Sequence, residues 1–393
     1  MSAPYPHLGT PGGIYSLVRD GRARSRTDIA RLTGLAPSTI TTRVEDLVRA
    51  GYLEESGEGS SRGGRRPRLL VITRDARRVA GVEIGAQHAM IVLCDLAGET
   101  VAEREVSLDI ALAPEVVLRG LHEAILDLAS EIGGDHELAG IGLALPGPVS
   151  IEGKVISPSR MPGWNGIDPA AILSGISGAR VRADNDANAI AFGEFIAGGR
   201  LAHHMIVVKA GSSIGTGVIA DGALYRGSRG MAGDVSHSAV SGGSQVLCSC
   251  GRLGCLDAVA GGRSMVLSLK ASGVDVDGVA DVVALGRDAH PLATRLLREA
   301  GLRTGAVLAT LVGFLNPERL VIAGSLSAAE AFVAAIRSSV YDLCLPLSTS
   351  GLDISTASGG RSVGAVGAAA LILDDLLAPD QIDQRVREEA LSS

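Results

Sequence analysis

The chain changes character at about residue 78, and that break constrains the fold more than any other feature. Up to it the sequence reads as short helices closed by a hairpin; beyond it, apolar strands alternate with glycine loops and longer helices. Residues 1–78 hold 14 arginines, no lysine and 8 acids, a formal +6, whereas the remaining residues carry −13. Only the first segment attracts polyanions. A length of 393 residues with 46% hydrophobic content suits two or three packed domains and argues against disorder. With aromatics at 3%, stacking platforms are not expected.

No signal-peptide pattern opens the sequence, and the late apolar run from Val363 to Leu373 stops at Asp374 and Asp375, too short for a bilayer. The expectation is a soluble, cytoplasmic chain with no membrane partner. Five cysteines, three of them within eight positions, fit a reducing compartment with a metal site better than a disulfide framework.

Within residues 12–72, GGIYSLVRDG is apolar at helical spacing. Ser25 with Asp28 three positions on forms an acidic variant of the capping box, and Gly34 stands at the stop position of DIARLTG. Ser38 then leads TITTRVEDLVRAG, with Ile40, Val44, Leu47 and Val48 as one apolar stripe and Gly51 at its close. A strand, a polar glycine loop and a second strand follow. This order is that of a winged helix-turn-helix. Ser38, Thr39, Thr41, Thr42 and Arg43 lie on the early exposed face of the third helix, suited to the major groove. Arg65 and Arg66 in the GGRRP loop suit the negative potential of a narrow minor groove. The alternative is a small helical dimerisation module followed by an arginine-rich linker.

From Val79 onward three strands form an antiparallel meander, followed by a long amphipathic helix from Pro114 to Ile132. A buried strand, LAGIGLALPG, ends in a proline-glycine loop, and ARVRADNDANAIAFGEF is a strand, a polar loop and a helix. A second half opens with MIVVKAG and the glycine loop GSSIGTG, weakly like the first. Helices at 290–315 and 328–345 flank the strand RLVIAG, and a last helix begins at Val363. His237, Cys248, Cys250 and Cys255 supply one imidazole and three thiolates, a donor set for tetrahedral zinc with no open position, hence structural. The alternative is thiols without metal. Cys94 and Cys344 read as core packing.

Taken in order, SRTDIARLTGLAPSTITTRVEDLVRAGYL, GGRRP, LPGPV, SPSRMPGW, ADNDANAIAFGE, GDVSH and CSCGRLGCLD resemble the regulator branch of the ROK (repressor, open reading frame, kinase) family along nearly the whole chain. The resemblance implies an α/β fold, with the winged helix-turn-helix joined to an actin-like, hexokinase-type duplicated domain. Residues 1–78 would bind DNA and 79–197 form the first lobe, completed by the C-terminal helix 363–390. Residues 198–362 would form the second lobe with the zinc loop. It also implies zinc on the His and three Cys, a sugar in the cleft, a homodimer or homotetramer on double-stranded operator DNA, and a protein partner from a sugar transport system as a further mode of control. Carried over by motif, the sugar contacts would be Asn185, Asp186, Asp234, His237 and Asp257. Asp186 alone also reads as a helix-capping residue. Where this family usually has glutamate the chain has Asp234 and Asp257, and Ser236 stands in place of glycine. A shortened acid leaves room for a bulkier ligand or a shifted pose.

In the family's kinases Asp186 would be the general base, yet phosphoryl transfer depends mostly on cradling ATP and magnesium. A phosphate loop resembling DxGGT is here Glu83, Ile84, Gly85, Ala86, Gln87; GSSIGTG keeps Gly211, Gly215 and Gly217 in altered spacing; and the adenosine-side glycine run reads Ala323, Gly324, Ser325. The expectation is a sugar-responsive transcriptional regulator, acting as a repressor, with no catalytic residue. The alternatives are an ATP-dependent sugar kinase that keeps a DNA-binding domain, and a DNA-binding protein whose second domain only oligomerises.

Overall fold

The computed structural model describes residues 8–58, 68–134, 136–158, 161–241, 243 and 245–392. The N-terminal unit comprises α1 (Pro11–Arg19), α2 (Arg26–Thr33), α3 (Pro37–Arg49) and a hairpin of β1 (Leu53–Glu58) and β2 (Arg68–Ile72). Its boundaries follow local chemistry. Ser25 caps α2 by accepting from Asp28 N, while the Asp28 carboxylate accepts from Ser25 Oγ and Arg24 N. Gly34 ends α2 in the left-handed region at φ 71°, where a Cβ is costly. α3 starts one residue before the expected Ser38, because Pro37 presets the first helical φ. Ile40, Val44 and Leu47 are buried as the stripe requires, but Val48 lies one step off the face and is exposed.

The larger unit contains two sheets of like topology. In the first, β3 (Arg77–Ile84), β4 (His88–Cys94) and β5 (Thr100–Ser107) form the antiparallel meander, and β6 (Glu137–Leu145) and β7 (Arg180–Asn185) add in parallel beside β3. In the second, β8 (Met205–Ala210), β9 (Ile214–Ala220) and β10 (Ala223–Leu224) are antiparallel, with β11 (Arg319–Ala323) and β12 (Asp353–Thr356) parallel beside β8. Both sheets therefore run third, second, first, fourth, fifth in order of occurrence, an actin-like duplication.

Outer helices cover each sheet. α4 (Pro114–Ile132) and α5 (Pro169–Ser177) bury Leu118, Leu121, Ile125 and Leu173 on Val82, Ile91, Ile141 and Leu143. Beyond β10 come α7 (Leu256–Ala260), α8 (Gly262–Ala271), α9 (Val279–Arg287), α10 (Pro291–Leu315), α11 (Glu330–Leu343) and the short α12 (Pro346–Thr349). Leu297, Leu308, Phe332 and Ile336 of α10 and α11 pack on Ile206, Val208, Leu320 and Ile322.

Between the sheets lie two helices, α6 (Asp186–Ala197) and α13 (Val363–Leu376). They fit because glycines let backbone touch backbone. A Cβ on Gly142 of β6 would sit 1.9 Å from Ala368 O of α13, and one on Gly217 of β9 would sit 2.4 Å from Ala187 O of α6. Between the two helices, a Cβ on Gly367 would meet Ala189 O at 1.8 Å.

The expected single helix 363–390 is two helices. A proline ring cannot continue the preceding turn, and α13 gives way at Pro379 to α14 (Pro379–Ser392). α13 packs along the first sheet, whereas α14 meets only its edge, through Arg180–Gln381 at 2.6 Å and Glu137–Arg385 at 2.8 Å. α14 packs on the N-terminal unit, where its Ile382 and Val386, with Leu377 at the end of α13, share one core with Ile14, Tyr15 and Leu17. Arg77 joins this junction through Glu137 at 3.1 Å and Glu389 at 3.3 Å. Among the described residues no helix is long and apolar enough to cross a membrane.

Candidate functional site

A cavity of about 100 Å³ opens between the two sheets, bordered by Asn185, Asp186, Lys209, Asp234, His237 and Asp257. All five residues expected to contact sugar therefore line one cleft, although their side chains are engaged in different ways. Asn185 caps α6, its Oδ1 accepting from Ala187 N at 2.9 Å and its Nδ2 donating to Gly147 O at 2.9 Å. Asp186 is the first helical residue, so the capping role belongs to its neighbour. Its carboxylate is buried at the positive end of the helix, accepts from Ala187 N at 2.7 Å and is ion-paired with Lys209.

Lys209 was not anticipated as a site residue. The one signal for it was a lone charge in an otherwise apolar strand, MIVVKA. Asp184 was missed as well. It accepts from Asn188 Nδ2 and Asn185 N, each at 2.8 Å, and from Arg226 Nε at 2.8 Å, which ties the loop before α6 to the segment after β10.

Glu83, near the end of β3, is half-buried and densely surrounded. Loss of water raises its carboxyl pKa to about 7; Lys209 opposes the rise and Asp186 adds to it. A Cβ on Gly364 of α13 would come within 2.2 Å of Glu83 Oε2, so the longer acid fills the space available to it. At the phosphate-loop position, Gly85 N instead donates to His88 O at 2.8 Å, closing a tight turn.

On the opposite rim, Asp234 Oδ1 accepts from Ser236 N at 3.1 Å and from Ser236 Oγ. Two of the three departures from the family pattern, Asp234 and Ser236, thus bind one another. Asp257 is buried near the start of α7, and its Oδ1 accepts from Ile214 N at 3.0 Å, fastening α7 to β9.

Beside this rim His237, Cys248, Cys250 and Cys255 bring their donor atoms within 4.8 Å of one another. His237 Nδ1 lies 3.5 Å from Cys248 Sγ, and Cys250 and Cys255 sulfurs are 3.6 Å apart. A disulfide would need about 2.05 Å. Sulfurs on a tetrahedral zinc with bonds of about 2.3 Å stand about 3.8 Å apart, so the donor set and its spacing fit that ion. Cys255 immediately precedes α7, so whatever the cluster holds also fixes Asp257.

On α3, Ser38 and Thr42 are exposed and Thr39, Thr41 and Arg43 are partly exposed. Thr41 and Thr42 hydroxyls donate to Pro37 O and Ser38 O, one turn back. Arg65 and Arg66 lie outside the described residues.

Residues 79–375, spanning both sheets and the cleft, match the ROK family. The chain belongs to the ROK family. Residues 14–54 match the winged helix-turn-helix DNA-binding family. Among ROK relatives, the chain is 27% identical over 381 residues to the xylose repressor of Caldicellulosiruptor bescii, covering 93% of this chain and 95% of that one. It is 25% identical over 378 residues to the DNA-binding transcriptional dual regulator NagC of Escherichia coli, covering 91% of each. A solved ROK family transcriptional regulator, described as a homologue of the Escherichia coli MLC protein, superposes with a TM-score of 0.79 at 22% identity over 97% of this chain and 99% of its own. At that identity the likeness speaks for the fold.

Proposed function

We propose that this ROK protein is a sugar-responsive, DNA-binding transcriptional repressor whose sugar-kinase fold serves as a sensor. The observation that carries the reading is the Asp186–Lys209 ion pair in the cleft of a chain that also has a winged helix. A carboxylate held by a tethered ammonium is suited to accept a hydrogen bond from a sugar hydroxyl, while the positions that would cradle ATP phosphates read Glu83, Ala86 and Gln87. Asn185, Asp234, His237 and Asp257 complete the polar lining. The α3 face with Ser38, Thr39, Thr41, Thr42 and Arg43 would enter the major groove, with Arg65 and Arg66 in the wing.

His237, Cys248, Cys250 and Cys255 would hold zinc. Four protein ligands leave no open position, so the ion would supply rigidity to the rim. The names of the relatives support a carbohydrate effector and operator DNA as partners; a homo-oligomer acting in the cytoplasm is part of the same proposal. A sugar that favours one arrangement of the lobes shifts DNA affinity by as much as its preference for that arrangement.

Fluorescence anisotropy on a labelled fragment of the gene's own upstream DNA, at fixed salt, tests this with D-xylose, D-glucose and N-acetyl-D-glucosamine. One sugar is expected to change DNA affinity by tenfold or more. Tight DNA binding that responds to no sugar would count against the sensor, and sugar-dependent release of ADP from ATP would favour the kinase.

A further inference from the structure

Three ionisable groups from different elements interact here, Asp186 and Lys209 lining the cleft and Glu83 close to them. Asp186 opens α6, Lys209 comes from β8 and Glu83 from β3. Lys209 Nζ is paired with Asp186 Oδ2, while the other Asp186 oxygen accepts from Ala187 N. Glu83 is close enough to feel both charges, and its Oε2 occupies the space that a Cβ on Gly364 would need. Of the other elements at this point, β9, the first turns of α13 and the end of β6 away from Glu137 bring no titratable side chain. β7 brings Asp184, which is paired with Arg226, and the far rim brings Asp234, His237 and Asp257.

Two carboxyls crowded in a partly dry space compete for ionisation, and without a cation between them one proton is shared. A carboxyl that carries that proton offers a donor where a sugar hydroxyl needs an acceptor. The Lys209 ammonium prevents this at Asp186.

We propose that Lys209 is a positioning residue for effector recognition: through its ion pair it holds the Asp186 carboxylate in place and turned to accept a sugar hydroxyl. The proposal rests on the reading of the cleft as a sugar site. It assigns a task to a residue outside the sugar-contact set, and it explains why the acid of β3 can be the longer glutamate.

The test uses the full chain as wild type, Lys209→Met, Lys209→Arg, Glu83→Gln and the Lys209→Met/Glu83→Gln double variant, each first checked for a cooperative melt. Calorimetric titration with whichever of D-xylose, D-glucose and N-acetyl-D-glucosamine raises the wild-type melting temperature is run from about pH 6 to pH 8. Wild type and Lys209→Arg should change affinity by less than about threefold, whereas Lys209→Met should lose about tenfold or more toward pH 6. Removing the competing carboxyl in the double variant should flatten that dependence. A Lys209→Met profile as flat as wild type, or no rescue by arginine, would overturn the proposal.

A ligand-free measurement separates this from the sugar assignment itself. The infrared band of a protonated carboxyl should vanish near pH 7 in wild type, be absent in Glu83→Gln, and persist to higher pH in Lys209→Met. If no sugar binds wild type at any pH, the sugar reading of the cleft fails, and the infrared series still decides the role of Lys209. An unchanged band in Lys209→Met would overturn that role even if sugar binds.

Discussion

The carboxylate of Asp383 accepts a hydrogen bond from the backbone N–H of Gly12 at 2.7 Å, joining residues 371 positions apart. It does for α1 what a capping side chain does locally, satisfying an N–H that the first turn leaves without a partner. Gly12 permits the approach: a Cβ there would fall 2.0 Å from Pro379 O. The DNA-binding unit is thus seated on the last helix of the chain. Asp383→Ala is expected to lower stability by about 1–2 kcal/mol and to weaken DNA binding several-fold, with sugar binding unchanged. Urea melts and anisotropy on the same preparation check this; loss of sugar binding instead would show that the contact serves the cleft.

Glu83 carries a pH prediction whose sign is fixed by its environment. Its pKa in the folded chain is about 7, against an ordinary 4.5, so the folded state holds a proton that the unfolded chain has released. Stability should therefore fall as pH rises from about 4.5 to 7 and stay lowered above it, by about 1–3 kcal/mol. Glu83→Gln removes that slope, and urea melts at several pH values should find the variant more stable than wild type at pH 8. Parallel curves would refute the assignment.

Metal removal should loosen the rim of the cleft before it loosens the core. Elemental analysis is expected to find one zinc per chain, and chelation to lower the melting temperature by several degrees and weaken sugar binding more than DNA binding. The reason is positional, since His237 follows Asp234 by three residues and Cys255 precedes Asp257 by two. Protein purified without metal, melting at the same temperature as zinc-loaded protein, would remove the ion from the account.

On the DNA face, Arg43→Ala should reduce affinity by about 1–3 kcal/mol at a base contact, or leave sequence preference intact and lower the salt slope by about 1 at a phosphate contact. Binding measured across a salt series on matched and scrambled fragments distinguishes the two. An unaltered slope and affinity would mean that α3 does not enter the groove by this face.

Much of this protein is written locally. Ser25, Asp28 and Gly34 bound α2 because caps depend on residues three or four apart, and CSCGRLGCLD can gather three thiols because they sit on one short loop. The expectations for Cys94 and Cys344 hold in the same way: Cys94 is buried, and Cys344 packs against the core of the second sheet. The cleft was legible through ADNDAN and GDVSH, motifs that carry their own geometry.

What sequence could not supply was pairing at long range. Nothing in MIVVKA says that Lys209 faces Asp186, because a strand reveals which face a residue takes but not what stands opposite. Nor does DQIDQRVREEALSS announce that it covers α1, since an amphipathic helix states only that one side must be buried. Gly142, Gly217 and Gly367 likewise show their purpose only once the two sheets bring helices against them. Local hydrogen bonds and periodicity set the elements of this chain; the burial of those elements against each other, which depends on the whole backbone path, decided which charges share the cleft and which helix carries the DNA-binding head.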